Sequence, residues 1–248
     1  MIGMNILPKK KQSVRKPNPG RGMVMGIDTN NDNPGYGEDP GVLHGMGPDL
    51  VTKYGRVQTQ CLKPTLNLMQ SFLKDLQGGL FVEIGVFGGS SLLYNYDICM
   101  KNKIDVIGID PFETITIFNG DDETNTAPHM VTQARIAATK RRENLEEIIS
   151  SNNLNIKILK KTSNEACNLF EDNSISLLHI DGDHSYMGVK NDLNNYWSKL
   201  KSGGVIINDD YTWASCRKAI DEFSELNKDK ISKTINHVNI NKHVMIKK

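Results

Sequence analysis

Two hydrophobic periods alternate along the chain. Leu66, Leu68, Met69, Phe72, Leu73 and Leu76 recur at helical spacing, and Gly78-Gly79 stops that helix. Leu80-Phe81-Val82-Glu83-Ile84 is then a short apolar run with β-branched content, which predicts a first strand. A glycine-rich turn and a helix over about Ser90 to Met100 follow it. The alternation continues with strands expected over Ile104 to Ile109, Ile156 to Leu159, Ile175 to Ile180 and Val205 to Asn208, the second to fifth of the series. Helices are expected over about Met130 to Ile149, Ser163 to Phe170 and Ala214 to Leu226. Val189, Leu193, Trp197 and Leu200 share another helical face, with Gly203-Gly204 read as its stop. Ile231 to Ile235 and His243 to Ile246 are the last candidate strands.

Short apolar strands alternating with helices predict an α/β fold: a doubly wound, Rossmann-like, mostly parallel sheet with helices on both faces. Only Asn236 to Lys242 join the last two strands. That is too short for a parallel crossover, so the sheet is expected to end in a C-terminal antiparallel hairpin.

Ahead of residue 49 the periodicity gives out. From Pro17 to Pro48 the chain is crowded with Gly, Pro, Asn and Asp and has too few apolar groups for a core. Residues 1–48 are read as an arm and 49–248 as one domain. Charge sharpens that division. Lys+Arg 30 nearly balance Asp+Glu 29 overall, yet Lys9, Lys10, Lys11, Arg15, Lys16 and Arg21 all precede the first acid, Asp28. A basic arm therefore leads a mildly acidic body. The arm stays open to three readings: a lid over the active site, a contact to a partner subunit of a homo-oligomer, or a disordered tail.

Hydrophobic residues at 38% and charged residues at 24% are those of an ordinary soluble domain. The near-zero net charge argues against a strongly basic nucleic-acid binder. No apolar run approaches the roughly 20 residues that span a bilayer, and no secretory stretch of roughly 7–15 apolar residues follows Met1. Cys61, Cys99, Cys167 and Cys216 show no C-x-x-C spacing, which suits reduced thiols and a cytoplasmic setting.

In open parallel sheets ligands bind outside the carboxyl ends of the strands. The first strand is followed by Gly85-Val86-Phe87-Gly88-Gly89-Ser90-Ser91. Such a turn either brings backbone N–H groups of the next helix against an anionic ligand group or simply packs strand and helix closely. It lacks the dinucleotide fingerprint, since Phe87 stands where the second glycine would be. Asp110 ends the second strand, where a carboxylate can accept from ribose hydroxyls or shape the turn before Pro111. The fourth strand ends in Asp181-Gly182-Asp183-His184 and the fifth in Asp209-Asp210. Neighbouring strands would gather Asp181, Asp209 and Asp210 at one rim without a Lys or Arg in either motif, a donor set suited to magnesium or another divalent cation. The other reading of these acids is helix capping and solvated loop charge.

With these motifs assembled, the chain resembles the class I S-adenosylmethionine-dependent methyltransferases from about Leu66 onward. Within them it is similar to the metal-dependent O-methyltransferases, which include the catechol, caffeoyl-CoA and macrolide-sugar groups. The shared pattern is Glu83, Gly85, Phe87, Gly89 and Ser91 after the first strand, with Asp181 and Asp209-Asp210 at the metal positions. The resemblance implies that Gly85 and Gly89 line the methionine part of S-adenosylmethionine, that Ser91 meets its carboxylate, and that Glu83 supports the loop or the amino group. It further implies Asp110 at the ribose, Phe112 beside the adenine and Ser163 at the adenine edge. For the general base it points to His184, three residues after the first metal aspartate, or to His129 in the connection after the second strand. The implied reaction is methyl transfer to a hydroxyl assisted by Mg2+ or another divalent cation.

The low aromatic content of 6% favours a sugar or glycan acceptor over a flat phenol. Two other readings remain. A nucleic-acid methyltransferase would explain the basic arm, but the acidic body and IDGDHSY in place of [DN]-P-P-[YF] stand against it. A non-catalytic cofactor-binding module would not need acids at both metal positions.

Overall fold

The computed structural model describes residues 48–112, 118–119, 122–123 and 128–248. The basic arm, apart from Pro48, lies outside the described residues.

A short antiparallel pair, β1 (Asp49–Val51) and β2 (Arg56–Gln58), precedes helix α1 (Lys63–Leu73), whose first turn holds Pro64, where a missing N–H costs nothing. The alternation then runs β3 (Leu80–Ile84), α2 (Ser90–Lys101) and β4 (Asp105–Ile109). A two-residue pair, β5 (Phe118–Asn119) and β6 (Asp122–Glu123), leads into α3 (Pro128–Ser151) and β7 (Ile156–Leu159). Next come α4 (Ser163–Ala166) with a 3-10 turn behind it, β8 (Ile175–Ile180), α5 (Tyr186–Trp197), β9 (Leu200–Asn208) and α6 (Ala214–Leu226). The hairpin β10 (Ile231–His237) and β11 (Lys242–Lys247) completes the series.

Seven strands form one sheet in the order β10-β11-β9-β8-β3-β4-β7. β7, β4, β3, β8 and β9 are parallel, and β11 runs antiparallel to both β9 and β10. The expected mostly parallel sheet with a terminal antiparallel hairpin is therefore present. The order in which successive strands are added reverses between β3 and β8, which makes their carboxyl ends the natural ligand crevice.

Each central strand faces a core on both sides, so its residues alternate between two helix layers. Phe81, Leu177, Val205 and Val244 pack with Met69, Leu92 and Leu145 from α1, α2 and α3. Val82, Leu178, Ile206 and Met245 pack with Leu193, Tyr196, Ile220 and Phe223 from α5 and α6. Each such fully buried apolar side chain contributes about 1.5–3 kcal/mol. Among the described residues no helix is long and apolar enough to cross a membrane.

Two local readings are corrected: α1 ends at Leu73, short of Leu76 and of the Gly78-Gly79 read as its stop. Gly203-Gly204 do not stop α5, which already ends at Trp197. They sit inside β9, where Leu200 pairs with Ile175 and Val205 with Leu177, so the intervening residues bulge out. Gly203 has φ +73, which suits the bulge and not a helix end.

Under the sheet, α5 carries Asp192, 2% exposed, whose carboxylate accepts from the Ser163 hydroxyl. Burial pushes this acid up to about 6. The folded protein thus holds the proton more tightly than the unfolded chain, and stability falls as pH rises from about 4 through 6. At neutral pH the shift of about two units is worth roughly 3 kcal/mol. Asp192→Asn keeps the acceptor oxygen and removes the ionisation. It is expected to raise the urea midpoint at pH 8 and leave it nearly unchanged at pH 4; equal midpoint shifts at the two pH values would refute the buried charge.

Candidate functional site

The turn after β3 is held by close backbone crossings. Gly85 has φ +86, and a Cβ there would lie 1.9 Å from the backbone oxygen of Asp181. At Gly88 it would lie 2.1 Å from the Gln58 oxygen, and at Gly89, the residue capping α2 with φ +78, 2.5 Å from Leu145. The glycines thus answer to packing, one of the two roles open to them. Ser90 and Ser91 are buried: Thr59 donates to the Ser90 hydroxyl at 2.7 Å, and the Ser91 hydroxyl donates to Glu83. Glu83 itself is 2% exposed, and its Oε2 has no hydrogen-bond partner.

Asp110 shapes the same turn from β4. Its Oδ2 accepts from the N–H groups of Val86 and Phe87 at 2.9 and 3.0 Å, and its Oδ1 accepts from Phe112 N–H at 2.7 Å. Burial raises its pKa against the pull of these three donors. Phe112 is buried beside it, and the Phe87 ring carries the Arg141 guanidinium at 4.0 Å. Ser163 opens α4 with its hydroxyl on Asp192. His129 falls in the first turn of α3, and its side chain lies outside the described residues.

The carboxyl ends of β8 and β9 bring the predicted acids together. His184 Nε2 lies 3.4 Å from Asp181 Oδ1 and 3.2 Å from Asp210 Oδ2. Local structure fixes each of these groups. Ser185 caps α5 by accepting from Gly188 N–H at 3.0 Å, which sets His184 at the helix entrance, and the His184 ring meets Trp213 edge-on at 5.2 Å. Asp210 adopts φ 50 and takes a hydrogen bond from the Asn241 amide at 2.8 Å. Two ligand groups emerge with donor atoms within 4.8 Å of one another, Asp181 with His184 and Asp210, and Asp181 with His179 and Asp209. Oxygen and imidazole donors at that spacing fit a divalent cation.

Burial and mutual repulsion dominate the electrostatics. Burial raises Asp209, with Asp181 adding to it, and burial and Asp209 lift Asp210 to about 7. Asp181 goes the other way: burial would raise it, but His184 and His179 hold it below the usual carboxylate range. Burial would lower His184, but Asp181 and Asp210 outweigh it and lift the imidazole to about 9.

Sequence reading missed two members of this rim. Lys242, at the start of β11, is buried and pairs with Asp209, so the carboxylates are not without an offsetting cation. His179 is fully buried in β8 and binds Glu83 through Nδ1 at 2.8 Å. Lys242 reaches the rim because β11 pairs with β9, and His179, two residues before Asp181 in β8, meets Glu83 across the β3–β8 ladder. Lys242→Met leaves Asp209 buried and unpaired and is expected to cost about 3 kcal/mol in denaturant unfolding. Adding Asp209→Asn should recover most of the loss; a double variant no more stable than the single one would contradict the pairing.

Comparisons with known proteins place this geometry. Residues 82–211 match a family described as a methyltransferase domain. An uncharacterised protein of Acanthamoeba polyphaga mimivirus is 34% identical over 150 residues, covering 58% of this chain and 56% of its own. The chain thus spans about half the length of that curated relative. Among solved structures, the O-methyltransferase NovP superposes with TM-score 0.56 at 18% identity, covering 73% of this chain and 78% of its own. A Clostridium thermocellum protein provisionally named an rRNA methylase gives TM-score 0.52 at 12% identity, covering 76% and 96%. At such identities the likeness is one of fold.

Proposed function

Because the chain belongs to the methyltransferase-domain family, we propose that it is an S-adenosylmethionine-dependent O-methyltransferase acting on a hydroxyl of a small polar acceptor, a sugar or glycan. The observation that carries this reading is the convergence of Asp181, His184, Asp209 and Asp210 at the carboxyl ends of β8 and β9. Acids and an imidazole gathered beside the cofactor crevice are groups for deprotonating an alcohol. N-methylation of a base would not need them.

Cofactor binding falls to the ends of β3 and β4. Asp110, half-buried and fixed by three backbone donors, is placed to receive ribose hydroxyls on its remaining lone pairs. The unpartnered Glu83 Oε2 beneath the turn fits a positively charged group above it. Gly85, Phe87, Gly89 and Ser91 build that turn, and Phe112 closes it behind Asp110. S-adenosylmethionine, when bound, supplies the electrophilic methyl group.

Asp181, Asp209 and Asp210 would hold the divalent cation. When bound, it would supply positive charge that offsets the carboxylates, lowers the proton affinity of His184 and stabilises negative charge on the acceptor oxygen. The protein's own part is positional. Asp181 and Asp210 grip one ring nitrogen of His184 from two sides, and Trp213 fixes the ring plane. With Asp181 and Asp210 turned to the cation, His184 Nε2 would be free to take the acceptor's proton as the hydroxyl oxygen attacks in line. Lys242 keeps Asp209 ionised at the rim.

The test is a methyl-transfer screen over nucleotide sugars, deoxysugars and catechols, with and without EDTA. Transfer to a sugar hydroxyl that EDTA suppresses is expected. His184→Gln should lower kcat about 10²–10⁴-fold with KM for the cofactor unchanged. Transfer to a nucleic-acid base, or binding of neither S-adenosylmethionine nor a divalent ion in calorimetry, would overturn the reading.

A further inference from the structure

We propose that His179 is a metal ligand: its Nε2 joins Asp181 and Asp209 in an inner donor set that selects a first-row transition ion of the manganese-to-zinc series over magnesium. This rests on the cation reading above and deepens it, replacing an all-oxygen set with one that contains imidazole nitrogen.

Three observations carry it. First, His179 is 0% exposed, and its Nε2 has no hydrogen-bond partner. Leaving a buried polar nitrogen unsatisfied is unfavourable, so natural interiors rarely do it without a ligand or a functional reason. Second, that nitrogen faces Asp209 Oδ2 at 3.8 Å. The gap is too long for a hydrogen bond, yet it lies within the roughly 3–4 Å that separates two ligands of one ion with bonds of about 2.1 Å. Third, the opposite ring nitrogen, Nδ1, is held by Glu83 Oε1 at 2.8 Å, and the Ser91 hydroxyl supports the same oxygen. A carboxylate on the far nitrogen is the arrangement that orients a metal-bound histidine and fixes its tautomer.

The remaining neighbours agree. Lys242 occupies Asp209 Oδ1 and leaves Oδ2 toward His179. The side chains of Asp181 and Asp209 are 25% and 10% exposed, so an ion can arrive from the rim. The division also separates two tasks: His179 with Asp181 and Asp209 holds the ion, while His184 beside Asp210 stays free to take a proton. A mixed nitrogen and oxygen set favours the transition ions, whereas magnesium prefers oxygen alone.

Adding Mn2+ to the purified full chain and reading electron spin echo modulation tests for nitrogen in the ion's inner coordination sphere. Mn2+ is expected to bind at least about ten-fold tighter than Mg2+ in competition and to show nitrogen modulation. His184→Gln should keep the modulation. His179→Gln should abolish it and weaken binding, and Glu83→Gln should keep it while weakening binding about 10–100-fold. If His179→Gln fails to fold, the wild type, His184→Gln and Glu83→Gln still decide. Nitrogen-free Mn2+, or modulation lost in His184→Gln and kept in His179→Gln, overturns the proposal. Nitrogen-free binding with EDTA-sensitive turnover would leave the O-methyltransferase reading standing; no Mn2+ binding with turnover that persists in EDTA would overturn both the proposal and the cation reading.

Discussion

Asp181→Ala is expected to lower turnover by at least about 10³-fold while the affinity for S-adenosylmethionine stays close to that of the parent. The size follows from where Asp181 stands. It belongs to both ligand groups of the rim and is one of the two carboxylates on His184. Losing it removes a would-be cation ligand and half of the grip on the base together, and effects of groups that act as a unit are not additive. Cofactor affinity is spared because Asp110 and the turn after β3 lie at other strand ends. The variant gives up the pairing of Asp181 with His184 and His179, so circular dichroism establishes that it folds before turnover is read. Steady-state kinetics with calorimetric titration of the cofactor checks this. Turnover within ten-fold of the parent would remove Asp181 from the chemistry.

Gly85→Ala should be the most damaging small substitution in the fold, costing about 4 kcal/mol or more. Two penalties coincide. The residue has φ +86, which no side chain adopts cheaply, and the new methyl would sit 1.9 Å from the backbone oxygen of Asp181. A flexible side chain could swing aside. Here the obstacle is the main chain between β8 and α5, anchored by the Asp181 N–H bond to the Ile84 oxygen at 2.8 Å. Relief therefore demands that β3 and β8 move apart at the centre of the sheet. The comparison is Gly203→Ala: it also has positive φ but meets nothing within 4 Å, so the difference in their denaturation midpoints isolates the clash. Equal losses would show that φ alone matters.

Much of the frame was legible because it is local. The apolar runs at Leu80–Ile84 and Ile175–Ile180 are strands at those residues, and α6 spans the expected Ala214–Leu226; of its expected buried stripe Ile220, Phe223 and Leu226, the first two are buried and Leu226, at the helix end, is exposed. The short connection between the last strands left only a hairpin, and a hairpin is found. The β1–β2 pair was invisible, since three-residue strands leave no period to read. At the site, strand ends announced Asp110, Asp181, Asp209 and Asp210. What sequence could not show was their company. His179 looks like part of an apolar strand until Glu83 is set opposite it in the β3–β8 ladder, and Lys242 looks like hairpin charge until β11 lies against β9. Both depend on pairing across the sheet, which a linear pattern does not encode. Misplacing the end of α5 had a like cause: a double glycine serves a helix stop and a strand bulge equally well until the partner strand is known.

That bulge has a bearing on how the rim keeps its alignment. In a strand, slipping by one residue turns every side chain to the opposite face, and such a slip in β9 would send Asp209 away from Asp181. Between the Leu200–Ile175 and Val205–Leu177 pairs, residues 201–204 form slack that no partner constrains one-to-one. Changes in length at the amino end of β9 are absorbed there, and the register from Val205 to Asn208 is set instead by β8 and β11 on either side. The slack works as a mechanical decoupler, which lets the helix-side entrance to the strand vary while the chemistry at its far end stays in phase.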